Sequence, residues 1–299
     1  MLLYCFVYSK NIGLNPVGGN GMNSQIIVDS CVDFNDRLFK KINGILRIPF
    51  KIRIGGEEIV DKNLDTASLL EKMKADVGKI STSCPSPYEF YENFKKNAVN
   101  FVVTISSKLS GSYQSAVAAK QMMQEEGLQN QVYVIDSKTA SAGQNLIVLK
   151  LRELLDQGID SELVMQKISE YAAHLKTLFL PVSIDNLQRN GRISGLKAEI
   201  GKALHIVPIL GSNGNGELVL KGRAMGEKQA VSKLLDMIEA TAVDIEHSSL
   251  AITFVDGVEK AEKMRDEIQK RLHFKEIQIF QASGLSTVYA DRGGLVFAY

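Results

Sequence analysis

Short apolar runs alternate with longer amphipathic segments along the first half of the chain. The apolar runs predict strands over residues 25–28, 101–105 and 132–135, and the continuous run 101–105 is typical of a strand buried on both faces. The amphipathic segments have helical spacing and span residues 66–74, 112–126 and 140–156. Strand-helix alternation at this spacing predicts a parallel sheet with right-handed crossovers. Within a β-rich stretch over 48–59, Gly55-Gly56 predicts a hairpin turn.

The second half of the chain has a different pattern. Two apolar runs, 206–210 and 218–222, flank a Gly/Asn-rich segment over 211–216 and predict an antiparallel hairpin. Further helices are predicted over 161–175, 227–240 and 259–272, and further strands over 178–182, 250–255 and 277–282. The last segment, 284–299, ends in apolar residues. The pattern in this half of the chain therefore predicts an α+β arrangement.

The change of pattern near Asp160 predicts two domains. Residues 22–160 would form an N-terminal α/β domain around a parallel sheet, and residues 161–299 a C-terminal α+β domain. Residues 1–21 combine a brief apolar stretch with several glycines and a proline, and they lack the basic start of a signal peptide. We expect them to be a disordered extension before a true start at Met22.

Composition excludes several classes of partner. The 35 Lys and Arg residues nearly balance 34 Asp and Glu residues, which leaves no charge excess for binding nucleic acid or an anionic membrane. No apolar run approaches the roughly 20 residues of a spanning helix, so we expect no stable membrane insertion. The three cysteines form no CxxC pair, which favours a reducing cytoplasm. The four histidines lack metal-ligand spacing, and the glycines at 211–216 lack a P-loop lysine, so no metal or cofactor is expected.

Two hydroxyl-rich loops, 81–87 and 106–112, each follow an apolar run and precede a helix-like run. We expect both to lie at the carboxyl ends of neighbouring strands, where open α/β sheets bind ligands. Small hydroxyl donors and free backbone N–H groups at a helix N-terminus favour an anionic group such as a carboxylate or phosphate. Neither loop supplies a base to activate a hydroxyl. The pattern indicates a binding protein, although Thr82 and Ser110 taken alone could be helix caps.

These loops resemble those of the DegV family of bacterial fatty-acid-binding proteins. The resemblance extends to Asp136-Ser137, to a "D-x-L-x-x-x-G-R-I" segment over 185–193, to an "I-K-P-I-L"-like strand over 206–210 and to a "K-x-R" stretch over 221–224. It covers residues 25–299. Several separated motifs in the same order make a chance agreement improbable.

The resemblance implies a two-domain α/β protein with a ligand tunnel between the domains, which encloses one long-chain fatty acid. Such proteins act as the non-catalytic, lipid-binding subunit of a bacterial fatty-acid kinase, whose separate kinase subunit phosphorylates the bound carboxylate. By this resemblance Thr82 and Ser110 would hydrogen-bond the carboxylate, the Gly111 backbone would help, and Arg192 would organise that polar end. Ser83 would be a neighbour of the head group.

One motif departs from the family pattern. The family commonly ends with "H-x-G-P-G", whereas this chain has Tyr289-Ala290-Asp291-Arg292-Gly293, with Tyr289 in place of the histidine. Tyr289 can still donate one hydrogen bond. Asp291 beside an acyl carboxylate would repel it unless a cation compensates or one of the two acids is protonated. Arg292 is the adjacent candidate for that positive charge.

Two other classes of function stay open from the sequence. A serine-dependent acyl hydrolase or transferase using Ser110 would need a nearby base, and the chain has no G-x-S-x-G elbow. A small-anion-binding regulatory protein would need a polar cleft in place of an apolar tunnel.

Overall fold

A computed structural model describes residues 24–34, 38–39, 42, 44–76, 78, 80–193 and 206–299. The extension predicted over 1–21 lies outside these residues. The strands, in chain order, are β1 Ser24–Asp29, β2 Ile45–Ile48, β3 Lys51–Ile54, β4 Glu57–Val60, β5 Ser81–Ser83, β6 Val99–Thr104, β7 Gln131–Asp136, β8 Thr177–Leu180, β9 Ile206–Ser212, β10 Leu218–Met225, β11 Ser249–Phe254, β12 Glu276–Gln281 and β13 Leu295–Ala298.

The helices carry the amphipathic segments. They are α1 Thr66–Ala75, α2 Pro87–Phe94, α3 Ser112–Glu125, α4 Ala142–Asp156, α5 Ser161–His174, α6 Asp185–Arg189, α7 Glu227–Thr241, α8 Val258–Arg271 and α9 Gly284–Ala290, with a 3₁₀ turn at Ile245–His247. Local chemistry sets their starts: Asp65 accepts backbone N–H groups at the start of α1, and Ser86 with Glu89 forms a capping box at α2.

The first sheet is parallel, as the alternating pattern predicts. Its strand order is β2-β1-β6-β7, and every neighbouring pair is parallel. All six residues of β6 are buried, because helices cover both faces of the sheet. On one face α2 and α3 pack Phe90, Phe94 and Met123 against the strands. The other face packs against α4 and α5.

The second sheet has six strands in the order β10-β9-β8-β13-β11-β12. The predicted hairpin is present as antiparallel β9 and β10. The C-terminal strand β13 lies between β8 and β11 and is antiparallel to both, so the apolar end of the chain is fully buried. Helix α4 packs against β11 and β13 as well as against the parallel sheet. One hydrophobic core therefore joins the two sheets across α4.

The first hydroxyl-rich loop is not where the sequence predicts it. Ser81–Ser83 forms the short strand β5, which pairs antiparallel with β3 in a separate sheet of order β4-β3-β5. The prediction of a loop at a carboxyl end of the main sheet is wrong here, because a three-residue strand of hydroxyl side chains shows no apolar run. The second loop does follow β6 and precede α3, as predicted.

Two buried aspartates fasten helix α9 to the N-terminal half of the chain. Asp61 accepts hydrogen bonds from the backbone N–H groups of Gly284 and Leu285, both at 2.9 Å. Asp33 accepts from the Ser283 backbone N–H at 2.8 Å and from Thr253 Oγ1 at 3.0 Å. Since each of these partners is more than 200 residues away in the chain, the carboxylates are long-range attachments rather than local caps.

The hairpin between β9 and β10 packs its turn against the loops that follow β6 and β7. Ser106 Oγ donates to the Gly216 carbonyl at 2.7 Å. A Cβ added to Gly216 would lie only 2.2 Å from Ser106 Oγ. Gly216 also has a φ of +88°, in the left-handed region that favours glycine. Both the space and the backbone angle therefore require glycine at this contact.

We predict that Gly216→Ala destabilises the protein more than Gly214→Ala. Gly214 has nearly the same φ, +86°, but open space around its Cβ position, so both variants pay about 1–2 kcal/mol for the left-handed conformation. Only Gly216→Ala adds the clash with Ser106, which costs a further 1–3 kcal/mol or so. Urea unfolding measures the difference, and equal losses would mean that the hairpin turn does not depend on this contact.

Asp61→Asn tests the attachment of α9 through pH. Burial raises the pKa of Asp61 above its ordinary value of 3.8, against hydrogen bonds from Ser30, Leu285 and Gly284 that lower it. The folded state thus binds the proton more tightly than the unfolded chain. The free energy of unfolding of the wild type, relative to Asp61→Asn, should fall as pH rises from 3.8 through the folded pKa.

Asp65→Asn is the control, because the pKa of Asp65 shifts in the opposite direction to that of Asp61. Hydrogen bonds from Ser68 lower the pKa of Asp65, so its stabilising contribution is present above the ordinary value and is lost as pH falls through the folded pKa. Paired unfolding curves across acidic pH measure both slopes. A wild-type advantage over Asp61→Asn that grows toward neutral pH would show that the hydrogen bonds outweigh burial.

Candidate functional site

A cavity lies where the loops at the carboxyl end of the parallel sheet face the six-stranded sheet and α9. It encloses about 840 Å³ of space between the protein atoms, counting the open solvent at its mouth. The surface of its wall is predominantly carbon. Apolar lining residues come from both halves of the chain: Phe50, Ile105, Leu109, Phe179, Leu187, Leu218, Leu285 and Val296.

Four polar side chains that the sequence singled out line this cavity: Thr82, Ser110, Arg192 and Tyr289. Thr82 on β5 and Tyr289 on α9 are 207 residues apart, yet their hydroxyl oxygens are 2.8 Å apart and hydrogen-bonded. The short strand β5 and the long-range attachment of α9 thus bring two hydroxyls to one point of the wall. Hydroxyl groups and an arginine together suit a carboxylate or phosphate.

The loop that carries Ser110 is held from both sides. Buried Asp29, at the end of β1, accepts from the Ile105 backbone N–H at 2.9 Å and from Ser112 Oγ at 2.7 Å. From the other side, Arg192 Nε donates to the Leu109 carbonyl at 3.1 Å. Burial raises the pKa of Asp29, and the hydrogen bonds from Gln144, Ser112, Ile105 and Cys31 oppose that rise. The position of Ser110 is therefore fixed by contacts with distant parts of the chain.

The other candidate residues lie outside the described lining. Gly111 is exposed at the start of α3, where an added Cβ would meet Cys84 Sγ at 3.3 Å. Ser83 is exposed and lines a separate polar pocket beside β3, to which Thr82 also contributes. This follows from strand geometry, since successive side chains on β5 point to opposite faces and only Thr82 faces the cavity.

Asp291 and Arg292 are also away from the cavity wall. Arg292 is exposed and forms ion pairs with Glu71 at 2.7 Å and Asp256 at 2.6 Å. Asp291 follows the end of α9 with a φ of +61°, which turns the chain away from the helix. Neither residue lines the cavity, and their expected roles at the head group stay predictions.

The sequence motifs did not single out every polar residue at the cavity. Cys31, Ser141 and Ser286 line the cavity, and Asp33 lies next to Ser141. Burial raises the pKa of Asp33, and it raises the pKa of the Cys31 thiol well above its ordinary value, so the thiol is held protonated. A protonated thiol is a weak nucleophile. The only sequence signal was the polar cluster directly after β1.

The geometry disfavours the hydrolase and the small-anion regulator. Within the described part of the chain, Ser110 Oγ accepts from the Ser112 backbone N–H and has no hydrogen bond to a histidine or carboxylate. The described histidines, His174, His247 and His273, are exposed. A predominantly carbon wall also differs from the polar cleft that a small-anion site requires.

The described residues contain no group of three or more His, Cys, Asp or Glu side chains placed to hold a metal ion. Across those same residues, no helix combines the length and apolar character needed to cross a bilayer.

Known proteins resemble this chain over nearly its whole length. A DegV domain-containing protein of Streptococcus pneumoniae is 31% identical over 280 residues, covering 93% of this chain and 99% of the relative. A DegV family protein of Ruminococcus gnavus, solved with vaccenic acid, is 34% identical with a TM-score of 0.89, covering 93% of this chain and all of that one.

Two further solved structures carry fatty acids. The Streptococcus pneumoniae fatty acid kinase (Fak) B3 protein, loaded with linoleic acid, has a TM-score of 0.85 at 29% identity and covers 93% of this chain and 99% of its own. A DegV family protein of Eubacterium eligens, loaded with heptadecanoic acid, has a TM-score of 0.83 at 28% identity. The match covers 92% of this chain and 98% of that one. The family model described as "Uncharacterised protein, DegV family" matches residues 23–299, and the chain belongs to the DegV family.

Proposed function

We propose that this protein binds one long-chain fatty acid in the cavity and holds its carboxylate at the polar corner formed by Thr82, Ser110, Arg192 and Tyr289. The observation that carries the proposal is a carbon-walled cavity with those four polar groups on its wall. Relatives with vaccenic, linoleic and heptadecanoic acid support the same ligand class. No cofactor is needed for such binding.

Burial of the tail supplies most of the affinity. At about 0.8 kcal/mol per CH₂, some 14 buried methylenes contribute roughly 11 kcal/mol of transfer free energy. Association and ordering cost several kcal/mol of that gain. A hydrogen bond to a charged acceptor adds only about 1.5–3 kcal/mol. The polar corner therefore sets the orientation of the ligand, while the hydrocarbon wall sets the strength of binding.

Each polar residue has a distinct part in this orientation. Thr82 and Tyr289 share one hydrogen bond at 2.8 Å, which leaves one of the two protons free to donate to a carboxylate. The Ser110 hydroxyl accepts a hydrogen bond from the Ser112 backbone N–H, so its proton is free to donate to the ligand. Arg192 supplies positive charge and fixes the loop through Leu109. Tyr289 thereby takes the hydrogen-bonding place of the family histidine.

We also propose that the bound acid is presented to a separate kinase subunit in the cytoplasm. The likeness to the Fak B3 protein supports this role. The kinase would transfer the γ-phosphoryl group of ATP to the carboxylate and form an acyl phosphate. This chain would contribute substrate and orientation only, since Ser110 has no base beside it.

We predict that Ala140→Phe weakens palmitate binding about tenfold. Ala140 lines the cavity and is half-buried, so a larger side chain there occupies space that the tail would fill. Displacing two methylenes costs about 1.6 kcal/mol, which corresponds to roughly tenfold in the dissociation constant. Displacement of a fluorescent fatty acid by palmitate measures the change.

Ala118→Phe is the matched control, because Ala118 is a half-buried residue of α3 outside the cavity lining. It should leave palmitate affinity at the wild-type value. Equal palmitate affinities for Ala140→Phe and Ala118→Phe would mean that the tail does not lie beside Ala140. If the wild type binds no palmitate, fatty-acid binding itself is rejected.

We predict that Ser110→Ala impairs phosphorylation more than lipid retention. Loss of one head-group hydrogen bond should lower palmitate affinity less than tenfold, because the tail dominates binding. A carboxylate that is poorly oriented for transfer should lower the rate of acyl phosphate formation at least tenfold. Acyl phosphate is measured with Mg-ATP and the kinase subunit that serves the Fak B3 protein.

Ser107→Ala is the control for this experiment, since Ser107 belongs to the same loop and does not line the cavity. It should retain both activities. Equal losses of binding and phosphorylation in Ser110→Ala would contradict the separation of orientation from affinity.

A further inference from the structure

Helix α6 and the turn that follows it lie against the cavity. Leu187, the buried residue of this short helix, lines the cavity wall. The helix ends in a Schellman motif: the Arg192 backbone N–H donates to the Leu187 carbonyl at 2.9 Å, and the Gly191 N–H donates to the Gln188 carbonyl at 3.0 Å. Gly191 has the left-handed φ that this motif requires, +77°. The motif thus places Leu187 and Arg192 on the wall of the same cavity.

Asn186 ties α6 to the helix that carries Tyr289. Its side-chain Nδ2 donates to the Val288 carbonyl at 2.9 Å, across 102 residues of chain. Val288 is among the last four residues of α9, whose carbonyls have no donor within the helix. Because Val288 directly precedes Tyr289, this hydrogen bond fixes the backbone from which the Tyr289 side chain projects.

Asn190, which directly follows α6, ties the same segment to the approach of β5. Its Nδ2 donates to the Ile80 carbonyl and to the Asn186 carbonyl, both at 2.9 Å. Ile80 lies two residues before Thr82. The Asn190 carbonyl in turn accepts a hydrogen bond from Arg192 Nη1. Asn190 therefore joins the strand that carries Thr82 to the turn that carries Arg192.

The elements that carry Thr82 and Tyr289 have other attachments as well. Strand β5 pairs along its length with β3, and the start of α9 is held by Asp33 and Asp61. These contacts keep β5 and α9 in the fold without the two asparagines, which are only half-buried. The asparagines instead hold the backbone beside the two hydroxyls, whose oxygens are 2.8 Å apart.

We propose that Asn186 and Asn190 are positioning residues, which aim the hydroxyls of Tyr289 and Thr82 at the carboxylate. Neither asparagine lines the cavity, so each acts through the backbone that it holds. Hydrogen bonds weaken steeply as the donor turns away from the acceptor, and recognition of the head group therefore depends on this aim. Burial of the tail does not. The inference rests on the proposed function, since it requires the carboxylate to lie at the polar corner.

The experiment compares the affinities of palmitate and 1-hexadecanol, which share a tail length but differ in the head group. Both are measured by displacement of a fluorescent fatty acid from the full chain, and their ratio reports recognition of the carboxylate. Asn190→Ala and Asn186→Ala, made separately, should each lower this ratio about fivefold, the effect of one weakened hydrogen bond. The affinity for 1-hexadecanol should stay within about twofold of the wild-type value, because the tail dominates its binding.

Asn130→Ala is the matched control. Asn130 is also a half-buried asparagine whose Nδ2 donates to two backbone carbonyls, those of Asn97 at 2.8 Å and Phe94 at 3.4 Å, but it lies outside the cavity lining. It should keep the wild-type ratio. A wild-type ratio in both Asn186→Ala and Asn190→Ala, or equal losses for the two ligands, would overturn the positioning role while palmitate binding stands. No palmitate binding by the wild type would reject the proposed function itself.

Discussion

Three buried carboxylates position the walls of the cavity, and the site depends on them. Asp29 holds both ends of the loop that carries Ser110, whereas Asp33 and Asp61 hold the start of the helix that carries Tyr289. Burial of each carboxylate costs desolvation free energy, which several hydrogen bonds oppose. Each attachment therefore depends on several donors being in place at once. The result is a cavity built from segments that are far apart in the chain, with its polar groups on fixed supports.

Much of the fold was predictable because its signals are local. The unbroken apolar run at β6 and the amphipathic spacing of α3 and α4 indicate a parallel sheet covered on both faces, and the structure confirms that arrangement. The strand β5 was not predictable in this way, because three hydroxyl residues carry no apolar periodicity. The insertion of β13 between β8 and β11 is a long-range pairing that periodicity does not encode.

The candidate site was predictable in part, and only with the family resemblance. Thr82, Ser110, Arg192 and Tyr289 do line one cavity, which gives their proposed roles a geometric basis. Arg292 is a candidate only through its adjacency to Asp291 in sequence, and its guanidinium pairs with Glu71 and Asp256 on the surface.

The central claim is that a hydrocarbon tail fills the carbon-walled cavity. Denaturing extraction of the purified protein, followed by mass spectrometry of what is released, tests it most directly. The account predicts close to one long-chain fatty acid per protein chain. Release of only small polar anions, or of no acyl compound even after incubation with excess fatty acid, would contradict it.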